Sequence, residues 1–146
     1  MTKAVLPEEN IKLQASISSK EDAIKTAGQV LVDGGYTDAS YVEKMFEREE
    51  ISSTFMGNFV AIPHGTDDAK KHVHHSGISI IQVPEGVDFG GGNIVKLVFG
   101  IAGKGDEHLE MLSKIAIICS EEENIERMVQ ASSKEELLAI FDEVSE

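Results

Sequence analysis

Three residues combine a reactive or charged side chain with neighbours that could present it, namely His64, His108 and Arg48. His64 follows a short apolar run and a proline, and the glycine after it should leave room for another group to approach the imidazole. Ligands of α/β sheets usually bind where such strands end, and a neutral imidazole is a competent nucleophile near neutral pH. We therefore consider a covalent role for His64, although an ordinary turn histidine fits the same residues.

His108 and Arg48 are suited to holding an anion. His108 falls in the first turn of a predicted helix that starts at Asp106, where free backbone N–H groups and the helix dipole attract negative charge. Arg48 stands among three glutamates, so its guanidinium could hold phosphate oxygens or form a surface ion pair worth under ~1 kcal/mol. For His108 the alternative is a solvated residue in the first turn of the helix. The residues alone do not decide between the two interpretations of His108, nor between those of Arg48.

The other histidines, a glycine run and the single cysteine are weaker candidates. His72 and His74 would share one face of an extended segment, with His75 beside them, but no second cysteine or carboxylate spacing supports a metal site, so a solvated turn is favoured. Residues 90–92 are three glycines without the Lys-Ser/Thr ending of a phosphate-binding loop, which argues against a nucleotide cradle. Cys119 lies on an apolar helical stripe and is expected in the core.

Composition narrows the class of protein. The 146 residues fit a single domain, 1–146, with a loose segment at residues 1–10. A net charge of −13 disfavours nucleic acid and anionic membranes and favours a partner with a positive face. One cysteine excludes an internal disulfide and indicates a reducing compartment. Without a signal peptide or an apolar stretch of ~20 residues, we expect a soluble, cytoplasmic protein with no membrane insertion.

The hydrophobic pattern predicts the elements that would position these side chains. Helices are predicted over about 19–33, 38–49 and 106–119, a short one is possible over 67–72, and two more open near Ser120 and Ser133. Strands are predicted near 11–14, 59–62, 78–83 and 95–102, while 51–58 is predicted as a loop. This order predicts a single-domain α/β sandwich in which helices flank both faces of a mixed, roughly five-stranded sheet.

Several motifs in this order resemble one family. Residues 57–65 read Gly-Asn-Phe-Val-Ala-Ile-Pro-His-Gly and resemble the active-site segment of enzyme IIA of the mannitol/fructose class in the phosphoenolpyruvate-dependent sugar phosphotransferase system. Residues 46–49 with Ser-Thr at 53–54 are similar to its arginine segment, and Glu107-His108-Leu109 is similar to its second histidine site. Pro-Glu-Gly-Val at 84–87 and the Glu-His pair favour the mannitol branch. The resemblance covers about residues 10–142.

The resemblance implies a role for each candidate. His64 matches the histidine that accepts and donates the phosphoryl group, His108 the second histidine that contacts it, and Arg48 the arginine that helps hold it. The group would arrive from the phosphocarrier HPr and leave to a cysteine on enzyme IIB of the mannitol permease. An acidic surface would steer a basic face of HPr. The resemblance implies no cofactor or metal, and the end of the chain at Glu146 indicates a free-standing component.

Two other functions fit parts of the sequence. A regulatory domain of the same fold could respond to phosphotransfer without serving transport, but we see no attached regulatory or DNA-binding segment and therefore favour transport. A metal-binding protein built on the histidine cluster is the weaker alternative. At this level either ring nitrogen of His64 could carry the phosphoryl group, and the sugar rests on the branch resemblance alone.

Overall fold

A mixed five-stranded sheet separates two layers of helices in the computed structural model, which describes residues 4–144. The strands are β1 (Ile11–Lys12), β2 (Phe55–Gly57), β3 (Val60–Ala61), β4 (Gly77–Asp88) and β5 (Ile94–Ala102). Their order across the sheet is β1-β4-β5-β3-β2. The pairs β1/β4 and β3/β5 are parallel, and the other two pairs are antiparallel. The predicted fold class is confirmed.

Between residues 4 and 144, five α-helices cover the two faces of the sheet. They are α1 (Lys20–Asp33), α2 (Ser40–Ile51), α3 (Glu107–Cys119), α4 (Glu122–Gln130) and α5 (Lys134–Val144), with 3₁₀ helices at Glu8–Asn10 and Asp67–His72. Buried residues of α1 and α2 form one core with the sheet, and buried residues of α3, α4 and α5 form another. Cys119 is buried in the second core, as predicted. No helix of the described chain has the length and hydrophobicity that crossing a membrane requires.

The central strands are apolar on both faces because each face carries a core. In β5, Leu97 and Phe99 belong to the core under α3, α4 and α5, whereas Val98 belongs to the core under α1 and α2. Successive side chains of a strand point to opposite faces, so a strand covered on both sides shows a continuous apolar run. This burial explains why the runs at 78–83 and 95–102 predicted strands correctly.

Two predicted boundaries in the strand region are wrong. Strand β4 does not end at Pro84 but continues to Asp88, with an irregular register against β5 between Gln82 and Val87. A bulge in a strand can accommodate a proline, which has no backbone N–H, and a glycine with a positive φ. Here these residues are Pro84 and Gly86, whose φ is +83°. The segment predicted as a loop over 51–58 contains β2, a three-residue strand too short to show alternation.

The predicted loose N-terminal segment lies partly outside the described residues, since its residues 1–3 are not described. Its last residues are more ordered than predicted, because Glu8–Asn10 form a 3₁₀ helix and Asn10 is buried. The Asn10 side-chain amide donates a hydrogen bond of 3.0 Å to the Ile78 carbonyl of β4. This end of the segment is therefore tied to the sheet.

One buried amide joins the sheet to the helical layer formed by α3, α4 and α5. Gln82 in β4 is 1% exposed, and its Nε2 donates to the carbonyls of Met128 (2.9 Å) and Ala131 (3.0 Å). Its Oε1 accepts a hydrogen bond of 3.0 Å from the Gln14 backbone N–H. Buried backbone groups need such partners, so this side chain fixes the end of α4 against β4.

We predict that Gln82→Ala lowers the free energy of unfolding by about 2–3 kcal/mol, because it leaves buried backbone groups without partners and opens a cavity. Equilibrium denaturation measures the change. Gln29→Ala is the control, because Gln29 makes only an exposed side-chain bond to Asp33, and it should change stability by under about 0.5 kcal/mol. Equal stability of the two variants would contradict the structural role of Gln82.

Candidate active site

The two candidate histidines meet at one edge of the sheet. Strands β3 and β5 run parallel, so their carboxyl ends lie side by side. His64 follows β3 and forms an isolated parallel bridge with Ile101, and His108 is the second residue of α3, which follows β5. The ring centroids of His64 and His108 are 5.3 Å apart, with the planes tilted by 56°. The structure therefore brings together two histidines that are far apart in sequence.

A hydrogen bond to the backbone assigns the tautomer of His64. Its Nδ1 lies 2.8 Å from the carbonyl oxygen of Ile62. A carbonyl only accepts, so Nδ1 carries the proton and Nε2 holds the lone pair of the neutral ring. Within the described chain, the buried side-chain polar atoms that lack a partner belong to Thr37 and Glu49. Within residues 4–144, the hydrogen bond seen for the His64 ring is the one at Nδ1.

The surroundings of His64 favour its neutral form. The residue is only 6% exposed, and this burial is the main cause that lowers the pKa of His64 below its usual value of 6.5. The Ile62 carbonyl opposes the shift, whereas the positive charges of His108 and Arg48 act in the same direction as burial. A ring that is neutral near pH 7 keeps the Nε2 lone pair available for attack on an electrophile.

His108 is half-buried beside this ring. Burial is the main cause that lowers the pKa of His108; the carboxylate of Asp67 opposes the shift, and Lys70 and Arg48 add to it. The first turn of α3 lies very close to Gly103, because a Cβ on Gly103 would stand 2.2 Å from the Cα of His108. Glycine at position 103 is therefore needed for α3 to begin where it places His108 next to His64.

Arg48 occupies the last turn of α2, and its Nη1 donates to the Ser52 carbonyl (2.8 Å) and hydroxyl (3.1 Å). Within residues 4–144 it makes no ion pair with the neighbouring glutamates, so the surface ion pair considered from sequence is not observed. Its charge acts on both His64 and His108. The guanidinium fork has further N–H donors that a bound anion could use.

Sequence reasoning missed Glu49, which braces the turn that follows Arg48. Glu49 is buried, and its Oε1 accepts hydrogen bonds from the backbone N–H (3.0 Å) and hydroxyl (2.6 Å) of Thr54. The ammonium of Lys20 lies 3.8 Å from its Oε2. Because a glutamate beside other acidic residues looks like a solvated side chain, no pattern in the sequence identified it. These two hydrogen bonds fix the segment between Glu49 and Thr54, which contains Ser52, the hydrogen-bond partner of Arg48.

The role expected for Gly65 needs correction. We predicted that this glycine leaves room for a group to approach the imidazole. A Cβ at this position would instead stand 2.6 Å from the Tyr41 ring and 2.9 Å from the Cβ of Ala69. The space beside Gly65 is therefore already filled by α2 and by the 3₁₀ helix Asp67–His72.

The histidine cluster has other partners. His72 Nδ1 lies 2.8 Å from the Asp38 carboxylate, whose pKa this contact lowers. The backbone N–H groups of His74 and His75 both donate to the Tyr36 carbonyl, at 2.7 and 3.2 Å. Among the residues that the structure describes, no three histidine, cysteine or acidic side chains are placed to hold a metal ion. These contacts tie the segment to the start of α2.

Comparison with known proteins identifies the family. Residues 4–144 match the family described as "Phosphoenolpyruvate-dependent sugar phosphotransferase system, EIIA 2". The chain belongs to this family. The family assigned from sequence is thus confirmed, and the protein is a phosphotransferase of the sugar phosphotransferase system. The mannitol-specific phosphotransferase enzyme IIA component of Bacillus subtilis is 68% identical over 141 residues, which cover 97% of this chain and 99% of that relative.

Solved structures of the family share the fold. The complex of enzyme IIA and phosphorylated enzyme IIB for mannitol from Escherichia coli matches with a TM-score of 0.89 and 36% identity, over 98% of this chain and 99% of that chain. The crystal structure of mannitol IIA from Escherichia coli matches with a TM-score of 0.86 and 39% identity, over 92% and 97% of the two chains. The sheet edge described above is thus part of a shared architecture.

We predict that His64 of this EIIA protein titrates below pH 6.5 and that its neutral ring carries the proton on Nδ1. Nitrogen-detected NMR over a pH series measures both, and a His64→Gln variant assigns the signals. Since the folded pKa lies below that of an unfolded chain, His64 contributes stability above about pH 6.5. This contribution is lost as the pH falls towards the folded pKa. A midpoint at or above 6.5, or a proton on Nε2, would contradict the assignment.

Proposed function

We propose that this EIIA protein is the mannitol-specific enzyme IIA, which takes a phosphoryl group from phospho-HPr onto His64 and passes it to a cysteine of enzyme IIB of the mannitol permease. The observation that carries the proposal is the hydrogen bond between Nδ1 of His64 and the Ile62 carbonyl, which leaves the lone pair on Nε2 in a ring that lies beside His108 and within the field of Arg48. The names of the similar mannitol components, and a similar structure solved with phosphorylated enzyme IIB, support the sugar and the acceptor.

The proposed transfer needs no net proton movement at His64. The Nε2 lone pair attacks phosphorus, an N–P bond forms, and the N–P bond to the donor histidine of HPr breaks. In the second step a cysteine thiolate of enzyme IIB attacks phosphorus, an S–P bond forms, and the electron pair of the breaking N–P bond returns to Nε2. Throughout both steps Nδ1 keeps its proton, because the Ile62 carbonyl accepts it at 2.8 Å.

Phosphorylation leaves positive charge on the ring while Nδ1 remains protonated. The Ile62 carbonyl stabilises that charge, whereas the burial that lowers the pKa of His64 opposes it. Because of these opposing effects, the phosphorylated ring can form and still gives up its phosphoryl group readily. A relay needs this balance, because the group must both arrive and depart within a transient complex.

His108 and Arg48 are proposed to hold the transferring group. Phosphoryl transfer passes through a loose transition state whose negative charge lies on three equatorial oxygens. An imidazole N–H of His108 and the free N–H groups of Arg48 would donate to these oxygens and keep donor and acceptor in line. Both side chains act on the His64 charge and lie on different elements, α3 and α2, so they can approach the group from two sides.

We predict that phosphoenolpyruvate, enzyme I and HPr label the wild-type protein on His64 and leave His64→Ala unlabelled, because the variant lacks the nucleophile. Labelling with radioactive phosphoenolpyruvate measures the result. His72→Ala is the control, since His72 pairs with Asp38 away from the reacting ring, and it should be labelled like the wild type.

The same assay separates the alternatives. Label on His64→Ala would falsify the assignment of the nucleophile, and an unlabelled wild type would reject the relay. Transfer onward to the enzyme IIB domain of the mannitol permease, and not to a fructose IIB domain, supports the proposed sugar. Label that no IIB domain accepts would favour the regulatory domain.

We predict that His108→Ala and Arg48→Ala each slow phosphoryl acceptance by about 10²–10³, because each removes a donor where charge develops. Rapid-quench measurement with phospho-HPr gives the rate, and circular dichroism checks that the fold is kept. Arg127→Ala is the matched control for charge, because Arg127 pairs with Glu143 on the surface of the helical layer. A wild-type rate for either variant would remove that residue from the site.

A further inference from the structure

Tyr41 places a buried hydroxyl next to the peptide that follows His64. The hydroxyl donates a hydrogen bond of 2.7 Å to the Ile101 carbonyl of β5 and accepts one of 2.9 Å from the Gly65 N–H. Tyr41 is 2% exposed, and its ring packs so closely on Gly65 that no side chain fits there. Both hydrogen bonds and the ring contact thus meet at one residue of α2.

The hydroxyl lies at the parallel bridge between His64 and Ile101. His64 is paired with Ile101, and the Ile101 N–H donates 3.0 Å to the Pro63 carbonyl on one side of His64. In a parallel pair the Ile101 carbonyl would accept the N–H of the residue on the other side, which is Gly65. The Tyr41 hydroxyl bridges these two groups, so both backbone groups of Ile101 hold the peptides that flank His64, one directly and one through the hydroxyl.

The protonation state of the Tyr41 hydroxyl suits a link between the Gly65 N–H and the Ile101 carbonyl. Burial raises the pKa of Tyr41 to about 12, against the opposing effect of the Gly65 N–H. The hydroxyl therefore stays neutral near pH 7 and can donate to one backbone group while it accepts from the other. A phenylalanine would keep the ring contact but leave the Gly65 N–H and the Ile101 carbonyl without this partner.

We propose that Tyr41 is a positioning residue for phosphotransfer, whose hydroxyl links the Gly65 N–H to the Ile101 carbonyl and so sets the direction in which Nε2 faces the incoming phosphorus. This inference rests on the proposed function of His64. Tyr41 acts through the backbone and does not touch the phosphoryl group. A displacement of about 1 Å in a reacting group can cost about 10²-fold in rate, so a small shift of this peptide has a measurable effect.

The test compares Tyr41→Phe with Tyr36→Phe. These are the two tyrosines of the chain. Both are buried, but the Tyr36 hydroxyl donates to the Ala4 carbonyl, and the Tyr36 ring packs on Gly77 of β4 and not on the residue that follows His64. We expect Tyr41→Phe to lower kcat for acceptance from phospho-HPr by about ten- to a hundredfold. The KM for phospho-HPr should be unchanged, because a buried hydroxyl does not meet the partner. Tyr36→Phe should keep the wild-type kcat.

NMR chemical shifts at Gly65 and His64 separate a positioning role of Tyr41 from a general loss of stability, which would leave these shifts of the folded protein unchanged. In Tyr41→Phe we expect the Gly65 amide resonance and the His64 ring nitrogens to shift, with both unchanged in Tyr36→Phe. A wild-type kcat in folded Tyr41→Phe, or an equal loss of kcat in both variants, overturns the proposal. If the wild type accepts no phosphoryl group, the proposed function fails, while the Gly65 and His64 signals still decide whether Tyr41 positions the ring.

If Tyr41→Phe does not fold, a second variant that keeps the hydroxyl tests the same proposal. In a Tyr36→Phe background Tyr41 is the only tyrosine, so fluorotyrosine can be incorporated at this position alone. Fluorine makes the phenol more acidic and changes both of its hydrogen bonds without removing the hydroxyl. We expect the Gly65 amide and His64 ring signals to shift and kcat to change with KM kept. Signals and kcat identical to the unfluorinated protein overturn the proposal.

Discussion

The hydrogen bond between His64 Nδ1 and the Ile62 carbonyl is the interaction on which the candidate site depends. It spans only two residues, so the turn through Pro63 supplies both partners. By holding the proton on one ring nitrogen, it leaves the lone pair on the other, the proposed nucleophile, and it would support the charge that the ring gains on phosphorylation. The surrounding structure has to place this short unit at the sheet edge and supply positive charge on its open side.

Several elements meet these two requirements from both sides of the sheet. Strand β5 holds the backbone at His64 through Ile101, and α3 then brings His108 to the ring from the layer that it shares with α4 and α5. Helix α2, in the opposite layer, contributes Arg48 near its end and Tyr41 near its start. Burial of the ring and the nearby positive charges both lower the pKa of His64, so the packing that positions the proposed nucleophile also favours its neutral form.

The sequence predicted the parts of this site that depend on local pattern. Apolar runs identified the two parallel strands, and strand ends that meet at one edge explain why His64 and His108 come together. Gly65 was misinterpreted, because the ring that fills its space lies 24 residues away. Glu49 was missed because only the tertiary fold buries a carboxylate that otherwise resembles its acidic neighbours. Strand β2 was missed because three residues show no period.

The two-layer construction also determines when a folding chain would hold the proposed phosphoryl-acceptor site. Since the acceptor ring, its neighbouring ring and the guanidinium come from a strand end and from helices on opposite faces, no single supersecondary unit contains all three. A partly folded chain, with one helical layer detached, would lack one part of this arrangement. Under the proposed function, a newly made copy would accept no phosphoryl group until both helical layers have packed against the sheet.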